Sequence, residues 1–295
     1  MSQPAAANPS TASAGTIRDL AACLDCGSRL GEDPACPSCG RAYPFRDGIL
    51  EAIGSLAGRN RTVAAFYDGP GWRRFRPWEQ GFLLLQGGVR RARMQILRHL
   101  LEVDRPDVVG LEVGIGDGEN LRFLPAGWTI HGMDIARTRL EACIVRNPGM
   151  AGRLAWAEAE RLPFEDATFD ACWTIGGFTY FRDHEAALLE MRRVTRPGGL
   201  VVVADEIPGL HRAGLGHLIG IPKFDAWWLG LLGLDREFVE MALEFDVDLV
   251  GLAQRVWPEA ERYRIWHGLG YCLINRGGSS AAGDSFLRTL PFREA

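Results

Sequence analysis

Four cysteines near the N-terminus are spaced as two close pairs. Cys23 and Cys26 form the first pair, and Cys36 and Cys39 form the second, with nine residues between the pairs. Each pair can form a tight turn that directs two thiolates to one point, and two such turns complete a tetrahedral site. Four thiolates leave no coordination position open, so the pattern predicts a structural zinc ion. The metal would supply folding energy to a segment too small to hold a core alone.

A glycine-rich turn follows a predicted β-strand in the middle of the chain. Gly114, Gly116 and Gly118 come shortly after Glu112, where a strand ends and a helix is predicted to begin. Such glycines let the backbone approach a ligand closely, and a helix N-terminus presents N–H groups to a carboxylate. Asp134 ends the next strand, where an acid binds the two hydroxyls of a ribose. Glu112 suits a ligand amine and would repel the pyrophosphate of a dinucleotide.

Polar side chains also follow the fourth and fifth predicted strands. In an open α/β sheet the ligand crevice lies beyond the carboxyl ends of the strands, so these side chains should face a substrate. Tyr180, Glu206 and His211 are candidates for a general base, and His184 is a further candidate. A base is needed only if the substrate must lose a proton. The alternatives are that Tyr180 only packs, that Glu206 pairs with an arginine, and that His184 caps a helix.

The composition is that of a globular protein. The chain has 295 residues, of which 47% are hydrophobic and 24% are charged, and its formal net charge is −4. These values exclude a disordered protein. The sequence contains no run of 18 apolar residues, so it does not predict a membrane span. The Ala-, Pro- and Ser-rich start has no basic residue and no apolar stretch, so it is read as a tail and not as a secretory signal. Seven cysteines, four of them grouped, indicate a reducing compartment, and we expect a cytoplasmic protein.

The elements that position these residues alternate along the chain. Beyond residue 107, apolar β-type runs alternate with amphipathic helical stretches, which is typical of a doubly wound α/β domain. Strands are predicted at residues 108–113, 129–134, 153–157, 169–174 and 200–205, and helices at residues 119–124, 138–146 and 184–195. An apolar, glycine-rich segment then interrupts the pattern at residues 210–234. A helix near residues 237–245 and strands at residues 247–256 and 262–275 complete the prediction.

Three motifs resemble those of class I S-adenosylmethionine-dependent methyltransferases of the UbiE type. Residues 112–118 (Glu-Val-Gly-Ile-Gly-Asp-Gly) resemble motif I, and residues 158–170 resemble the segment D-A-E-x-L-P-F-x-D-x-x-F-D. Residues 193–199 resemble the turn R-V-L-K-P-G-G. The resemblance implies a Rossmann-like, doubly wound, seven-stranded sheet and S-adenosylmethionine as the methyl donor.

The resemblance also implies roles for the glycine turn and its acids. Glu112 would meet the methionine amine, directly or through water. Gly114, Gly116 and Gly118 would line the methionine with their backbone, and Asp134 would hold the ribose.

Further cofactor contacts are implied elsewhere in the domain. Ile135 would pack on the adenine, and Glu158, which stands where the family has Asp, would accept the adenine amino group. Ala159 would contribute its backbone N–H, and Thr174 would lie under the methionyl part. Tyr67 lies before the domain much as family tyrosines that close over the cofactor do.

The N-terminal segment carries a resemblance of its own. Residues 43–50 resemble the Tyr-Pro-x-x-Asp-Gly-Ile ending of Trm112-like zinc ribbons, which precede some methyltransferases. We therefore predict a tail at residues 1–16, a zinc ribbon at 17–56 and a helical, Arg-rich segment at 57–105. A methyltransferase domain follows at 106–276, with a helical lid inserted at 207–234, and a tail ends the chain at 277–295.

The acceptor is open to three interpretations. The apolar, Trp-containing lid favours a small, largely apolar acceptor, for example a secondary metabolite, although the same segment could be a dimer contact or a membrane-surface dock. Nine arginines between residues 59 and 98, against two acids, instead favour rRNA or tRNA, and some rRNA guanine methyltransferases share a zinc module. The isoelectric point of about 5.9 and the lid weigh against RNA. The third interpretation is a non-catalytic scaffold that binds the cofactor.

Overall fold

The computed structural model describes residues 15–103, 105–207, 222–231, 235–243, 247–277 and 293–294. The ten strands within these residues form one sheet, in the order β1-β2-β5-β4-β3-β6-β7-β9-β8-β10. Their bounds are β1 (Phe45–Arg46), β2 (Ile49–Glu51), β3 (Val109–Val113), β4 (Thr129–Asp134), β5 (Leu154–Trp156), β6 (Phe169–Ile175), β7 (Thr195–Glu206), β8 (Glu261–Ile265), β9 (Gly270–Asn275) and β10 (Arg293–Glu294).

Seven of these strands, β5-β4-β3-β6-β7-β9-β8, confirm the predicted Rossmann-like sheet. β5, β4, β3, β6 and β7 run parallel, whereas β9 is antiparallel to both of its neighbours. All seven residues of β6 are buried, because helices cover both faces of the sheet. This burial explains why the strands appear in the sequence as continuous apolar runs. The parallel order also brings the carboxyl ends of β3, β4 and β6 to one edge.

Helices pack around the sheet and before it. Their bounds are α1 (Gly58–Asp68), α2 (Pro70–Leu85), α3 (Val89–Leu100), α4 (Arg137–Arg146), α5 (His184–Val194), α6 (Pro222–Leu231), α7 (Arg236–Leu243) and α8 (Leu249–Val256). The first three confirm the helical pattern of the Arg-rich segment. Of the predicted lid, the structure describes only residue 207 and α6; residues 208–221 and 232–234 lie outside the described residues. In the described part of the chain, no helix is both long and apolar enough to cross a membrane.

Two predicted elements were wrong: the helix that follows the glycine turn and the strand that follows the lid. The helix predicted at residues 119–124 is only a single 3₁₀ turn, Leu121–Phe123, because Leu124 is extended in front of Pro125. The strand predicted at residues 247–256 is the helix α8. Asp248 caps it by accepting a hydrogen bond from the N–H of Gly251 at 2.9 Å, and this cap outweighs the β-branched residues of the segment.

The last predicted strand, at residues 262–275, is a hairpin of β8 and β9. A 3₁₀ turn, Trp266–Gly268, separates them, and His267 adopts a φ of 55° there. The two strands then pair antiparallel, so one continuous run of the sequence supplies two neighbouring strands.

The cysteine-bearing segment is joined to the sheet. β2 pairs parallel to β5, with Ile49 opposite Leu154. The N–H of Ile17 donates to the carbonyl of Gly152 at 2.7 Å, and the N–H of Ala22 donates to that of Pro163 at 2.9 Å. The segment therefore extends the edge of the central sheet instead of standing apart from it.

Candidate functional site

An open cleft lies at the carboxyl ends of β3, β4 and β6. The sheet side of the cleft is formed by the turn after β3, the end of β4 and the loop after β6. Side chains of α1, α2 and α3 form the opposite side. The helical segment before the domain thus completes a site whose floor is the sheet.

The glycine turn after β3 is held against β4 and open to the cleft. The N–H groups of Gly114 and Ile115 both donate to the carbonyl of Met133, at 2.8 and 3.0 Å. Gly116 has a φ of 56°, and a Cβ there would meet no atom within 4 Å. Gly118 differs, because its Cβ would lie 2.7 Å from Sγ of Cys143 on α4. Gly114 and Gly116 therefore face the cleft, whereas Gly118 allows the turn to pack on α4.

Asp134 is fixed at the end of β4. Its Oδ2 accepts a hydrogen bond from the N–H of Gly116 at 2.8 Å, and its Oδ1 accepts one from the N–H of Ala136 at 2.9 Å. Burial raises the pKa of Asp134 to about 6, although the two backbone N–H groups oppose this shift. Each carboxylate oxygen keeps a further acceptor site, so the group can take two hydroxyls of a ligand. Ile135 lines the cleft beside it.

Glu112 is a buried carboxylate with one unpaired oxygen. Asn120 Nδ2 donates to Oε1 at 2.5 Å, whereas no described residue donates to Oε2. The indole of Trp173 lies near the carboxylate but does not complete a hydrogen bond to it. Burial raises the pKa of Glu112 to about 7. Because an unpaired buried carboxylate is costly, a ligand amine at this position would stabilise the ionised form.

The helical side of the cleft contributes residues that the sequence analysis missed. Arg93 on α3 is buried and contacts Glu79 at 3.5 Å and Glu119 at 3.8 Å. No described group accepts a hydrogen bond from its Nε. The spacing of α3 carries the missed signal, because Arg93 shares a buried stripe with Ile96 and Leu97. An arginine on such a stripe is directed into the protein rather than toward RNA.

Tyr67 and Tyr180 lie together in the cleft. Their ring centroids are 6.4 Å apart, and burial raises the pKa of both phenols well above the usual range. Asp205 holds the turn that carries Tyr180, because its Oδ2 accepts a hydrogen bond from the N–H of Thr179 at 2.7 Å. Burial, and then the charge of Glu79, raise the pKa of Glu206 to about 7.

The structure describes one of the other two base candidates. His211 is outside the described residues. The ring of His184 at the start of α5 packs edge-on against Phe178, with centroids 4.9 Å apart, and burial lowers its pKa.

The remaining cofactor candidates are divided between the cleft and its surroundings. Glu158 is directed toward α1, where Asn60 Nδ2 donates to it at 2.7 Å, and the next two residues, Ala159 and Glu160, line the cleft. Thr174 is fully buried. Its Oγ1 lies 3.8 Å from the place that a Cβ on Gly114 would occupy, which is beneath the turn.

The four cysteines of the N-terminal segment converge. Their Sγ atoms all lie within 4.8 Å of one another, and Cys23 to Cys39 and Cys26 to Cys36 are each 3.5 Å apart. Sulfurs bound tetrahedrally at about 2.3 Å from a zinc ion are about 3.8 Å from each other, so the arrangement fits that metal. The two turns are alike: the N–H groups of the glycines that follow each pair donate to the carbonyls of Cys23 and Cys36, at 2.8 and 2.9 Å.

Comparison with known proteins identifies the domain. The family described as "Methyltransferase domain" matches residues 111–203, which include the glycine turn, Asp134 and β6. Residues 111–203 of the chain thus form a methyltransferase domain. The glycine turn, Glu112 and Asp134 all lie within the matched residues.

Two curated relatives share the methyltransferase domain. "Methyltransferase GfsG" of Streptomyces halstedii is 36% identical over 101 residues, which is 32% of this chain and 36% of the relative. "Ubiquinone/menaquinone biosynthesis C-methyltransferase UbiE" of Cupriavidus taiwanensis is 32% identical over 165 residues, or 52% of this chain and 61% of the relative. The chain thus spans between about a third and two thirds of the length of these relatives. A solved S-adenosylmethionine-dependent methyltransferase from Thermotoga maritima aligns with a TM-score of 0.46 and 17% identity, over 70% of this chain and 98% of that one.

Proposed function

We propose that this protein transfers a methyl group from S-adenosylmethionine to a small, largely apolar acceptor. The observation that carries the proposal is a pair of buried carboxylates. Asp134 lines the cleft with its orientation fixed by two backbone N–H groups, and Glu112, with its unpaired oxygen, accepts a hydrogen bond from Asn120, which lines the cleft. Glu112 suits an amine and Asp134 suits a pair of hydroxyls, which are the polar ends of this cofactor. When bound, the cofactor supplies an electrophilic methyl group on a sulfonium.

The chain's own residues would orient this donor. Gly116 leaves open space beside the turn for the methionine backbone, and Ile135 offers an apolar face for the adenine. We infer that Arg93, with its buried and unpaired Nε, receives the methionine carboxylate, because it is the buried cation on the side of the cleft nearest Glu119 and Asn120.

Aromatic side chains favour an acceptor with an apolar ring. Tyr67, Trp72, Tyr180 and Phe181 line the cleft, and Phe238 of α7 lies 5.1 Å from the ring of Tyr180. The name of the Cupriavidus relative specifies ubiquinone and menaquinone biosynthesis, and both quinones are apolar and cyclic. A phenol or hydroquinone, including one from secondary metabolism, would fit these walls. Because alignment carries much of the rate of a displacement at carbon, a closely packed aromatic cleft suits this reaction.

We propose Glu206, at the end of β7, as the group that takes a proton if the acceptor must lose one. Its pKa of about 7 lets it accept a proton near neutral pH, whereas the phenol of Tyr180 stays protonated and would donate a hydrogen bond. Glu206→Gln should then lower kcat by ~100-fold or more with little change in cofactor affinity, and Tyr180→Phe should mainly raise the KM of the acceptor.

We also propose that Cys23, Cys26, Cys36 and Cys39 bind one structural zinc ion. The support is their convergence and the paired turns that hold them. The ion has no open coordination position in such a site, so its contribution is to folding and not to methyl transfer.

Two measurements test the proposed function. Calorimetry should show binding of S-adenosylhomocysteine to the protein and a loss of at least about tenfold in affinity for Asp134→Ala, because two hydrogen bonds to an ionised group are lost. Labelled cofactor is then incubated with cell extract divided into RNA and small-molecule fractions. Label in the small-molecule fraction supports the proposal, label in RNA would establish the alternative acceptor, and binding without transfer to either fraction would indicate a scaffold.

A further inference from the structure

The outer face of α2 exposes apolar side chains between two arginine pairs. Trp78 is 57% exposed, and Leu84 and Leu85 are 74% and 79% exposed. Helical spacing places Arg73 and Arg74 at one end of this face, and the turn into α3 places Arg90 and Arg91 at the other. We call this surface the α2 face. From Arg74 to Leu85 it extends about 16 Å along the helix.

The charge of the α2 face is strongly positive in an acidic protein. Four exposed arginines, Arg73, Arg74, Arg90 and Arg91, stand at its two ends, whereas the whole chain has a net charge of −4. Glu79 does not offset the exposed arginines, because it is directed into the cleft and lies 3.5 Å from the buried Arg93. The outer surface therefore offers cations and apolar side chains together.

We propose that the α2 face docks on the surface of an anionic lipid membrane. An interfacial helix binds a bilayer by burying its apolar side chains below the headgroups while its cations meet the lipid phosphates. Trp78 suits the boundary because its ring is amphipathic, and arginines can extend from the apolar zone to the phosphates. Leu84 and Leu85 would enter the acyl region.

The same features argue against two other occupants. In a symmetric contact with a second copy, arginines stand at both ends of the face, so either helix direction brings like charges together. A polynucleotide would neutralise the arginines, but it offers no apolar surface for the two most exposed leucines of the face. A bilayer satisfies both the charge and the apolar area.

A second cavity lies next to both this face and the cleft. It opens between α2 and α3 beside Leu84, and Arg76, Glu79 and Glu119 line both cavities. If the proposed function holds, a membrane-held acceptor would have a short route to the methyl donor from this side. The docking itself does not depend on that route.

Flotation with lipid vesicles, without cofactor, tests the docking. The protein should float with phosphatidylcholine vesicles that contain phosphatidylglycerol and stay behind with phosphatidylcholine alone. Arg90→Gln combined with Arg91→Gln should weaken binding by ~30-fold, and Leu85→Gln should weaken it by ~10-fold, at low ionic strength. These side chains are exposed, so melting temperatures should stay unchanged.

Matched control variants distinguish membrane binding by the α2 face from nonspecific binding by other surfaces. Val145→Gln changes an apolar residue that is 83% exposed on α4, and Arg61→Gln combined with Arg236→Gln removes two charges elsewhere. Both controls should alter binding by less than twofold. Failure to float with anionic vesicles, or equal losses in the controls, would refute the docking. A solution dimer that Leu85→Gln converts to a monomer would assign the face to self-association instead. Because no methyl transfer is measured, none of these results bears on the proposed function.

Discussion

Glu112 gives the cleft a pH response that can be measured. Its pKa is about 7 in the folded protein and near 4.5 in an unfolded chain, so folding takes up a proton between these values. The stability contributed by this group therefore falls as the pH rises from about 4.5 to 7 in the protein without ligand. A ligand amine reverses this preference because it favours the ionised carboxylate.

The affinity for S-adenosylhomocysteine should consequently increase by about tenfold between pH 6 and pH 8. Calorimetry in buffers of different ionisation enthalpy should show release of a proton on binding. Glu112→Gln keeps the shape and removes the titration, so its affinity should be lower and nearly independent of pH above 7. The weaker titration of Asp134, with its pKa of about 6, should remain in that variant. An unchanged pH profile in Glu112→Gln would contradict the assignment of the amine.

Arg93 can be tested by ligands that differ at one end. S-Adenosylhomocysteine carries the amino-acid carboxylate, whereas 5′-methylthioadenosine lacks the amino-acid end. Arg93→Met should weaken the first ligand by ~10- to 100-fold and leave the second within about threefold, because only the first loses a charged hydrogen bond. Arg98→Met, an exposed arginine on the same helix, serves as the control. Equal weakening of both ligands would mean that Arg93 only supports the fold.

At the scale of elements, two glycines of the glycine turn have different roles: Gly116 faces the ligand space, and Gly118 packs on α4. Both Gly116 and Gly118 have positive φ, so alanine strains either position by about 1 kcal/mol. Gly118→Ala also drives a Cβ into Cys143 and Asn147, which should bring the loss of stability to ~2–4 kcal/mol. Gly116→Ala should instead reduce cofactor affinity, because its Cβ points into open space. Melting curves and calorimetry on the two variants distinguish these effects; a larger loss of stability in Gly116→Ala would contradict this division.

The elements that the sequence predicted well are those whose signals are local. The buried strands, the glycine turn and Asp134 follow one another within short stretches, and the motif spacing places them. Arg93 was missed because its position in the cleft depends on how α3 packs, and the arginines around it on the chain are exposed. The helix α8 was misread because a β-branched start hid the cap supplied by Asp248. The pairing of β2 with β5 joins residues more than a hundred positions apart, which no local pattern indicates.

At the scale of the whole molecule, the cysteine segment and the sheet share one core. Tyr43 and Ile17 belong to the same buried cluster as Met133 and Phe164. Arg137 of α4 reaches back to Glu51 at 2.5 Å and to Asp47 at 3.0 Å. Loss of the metal should therefore destabilise the β5 edge of the sheet, whereas β3 and β4 should still hold Glu112 and Asp134.

Cys36→Ser should remove the zinc and lower the melting temperature by several degrees. Hydrogen exchange should speed up at β2 and β5 and stay slow at β3 and β6, and S-adenosylhomocysteine should still bind. Ser38→Ala, a substitution between the second pair of cysteines, is the matched control and should keep one zinc per chain. The zinc assignment would be wrong if metal analysis found equal zinc in Cys36→Ser and in the unaltered protein.

The β2–β5 pairing also sets an order of events during synthesis. β2 leaves the ribosome 105 residues ahead of its partner, since Ile49 lies opposite Leu154. At ordinary elongation rates this interval lasts roughly 5 to 20 s, during which β2 has no partner strand. The cysteine turns are complete before that interval begins, so metal capture would keep the nascent segment from premature pairing with other chains. Cells starved of zinc should then accumulate aggregated newly made protein while molecules that folded earlier persist.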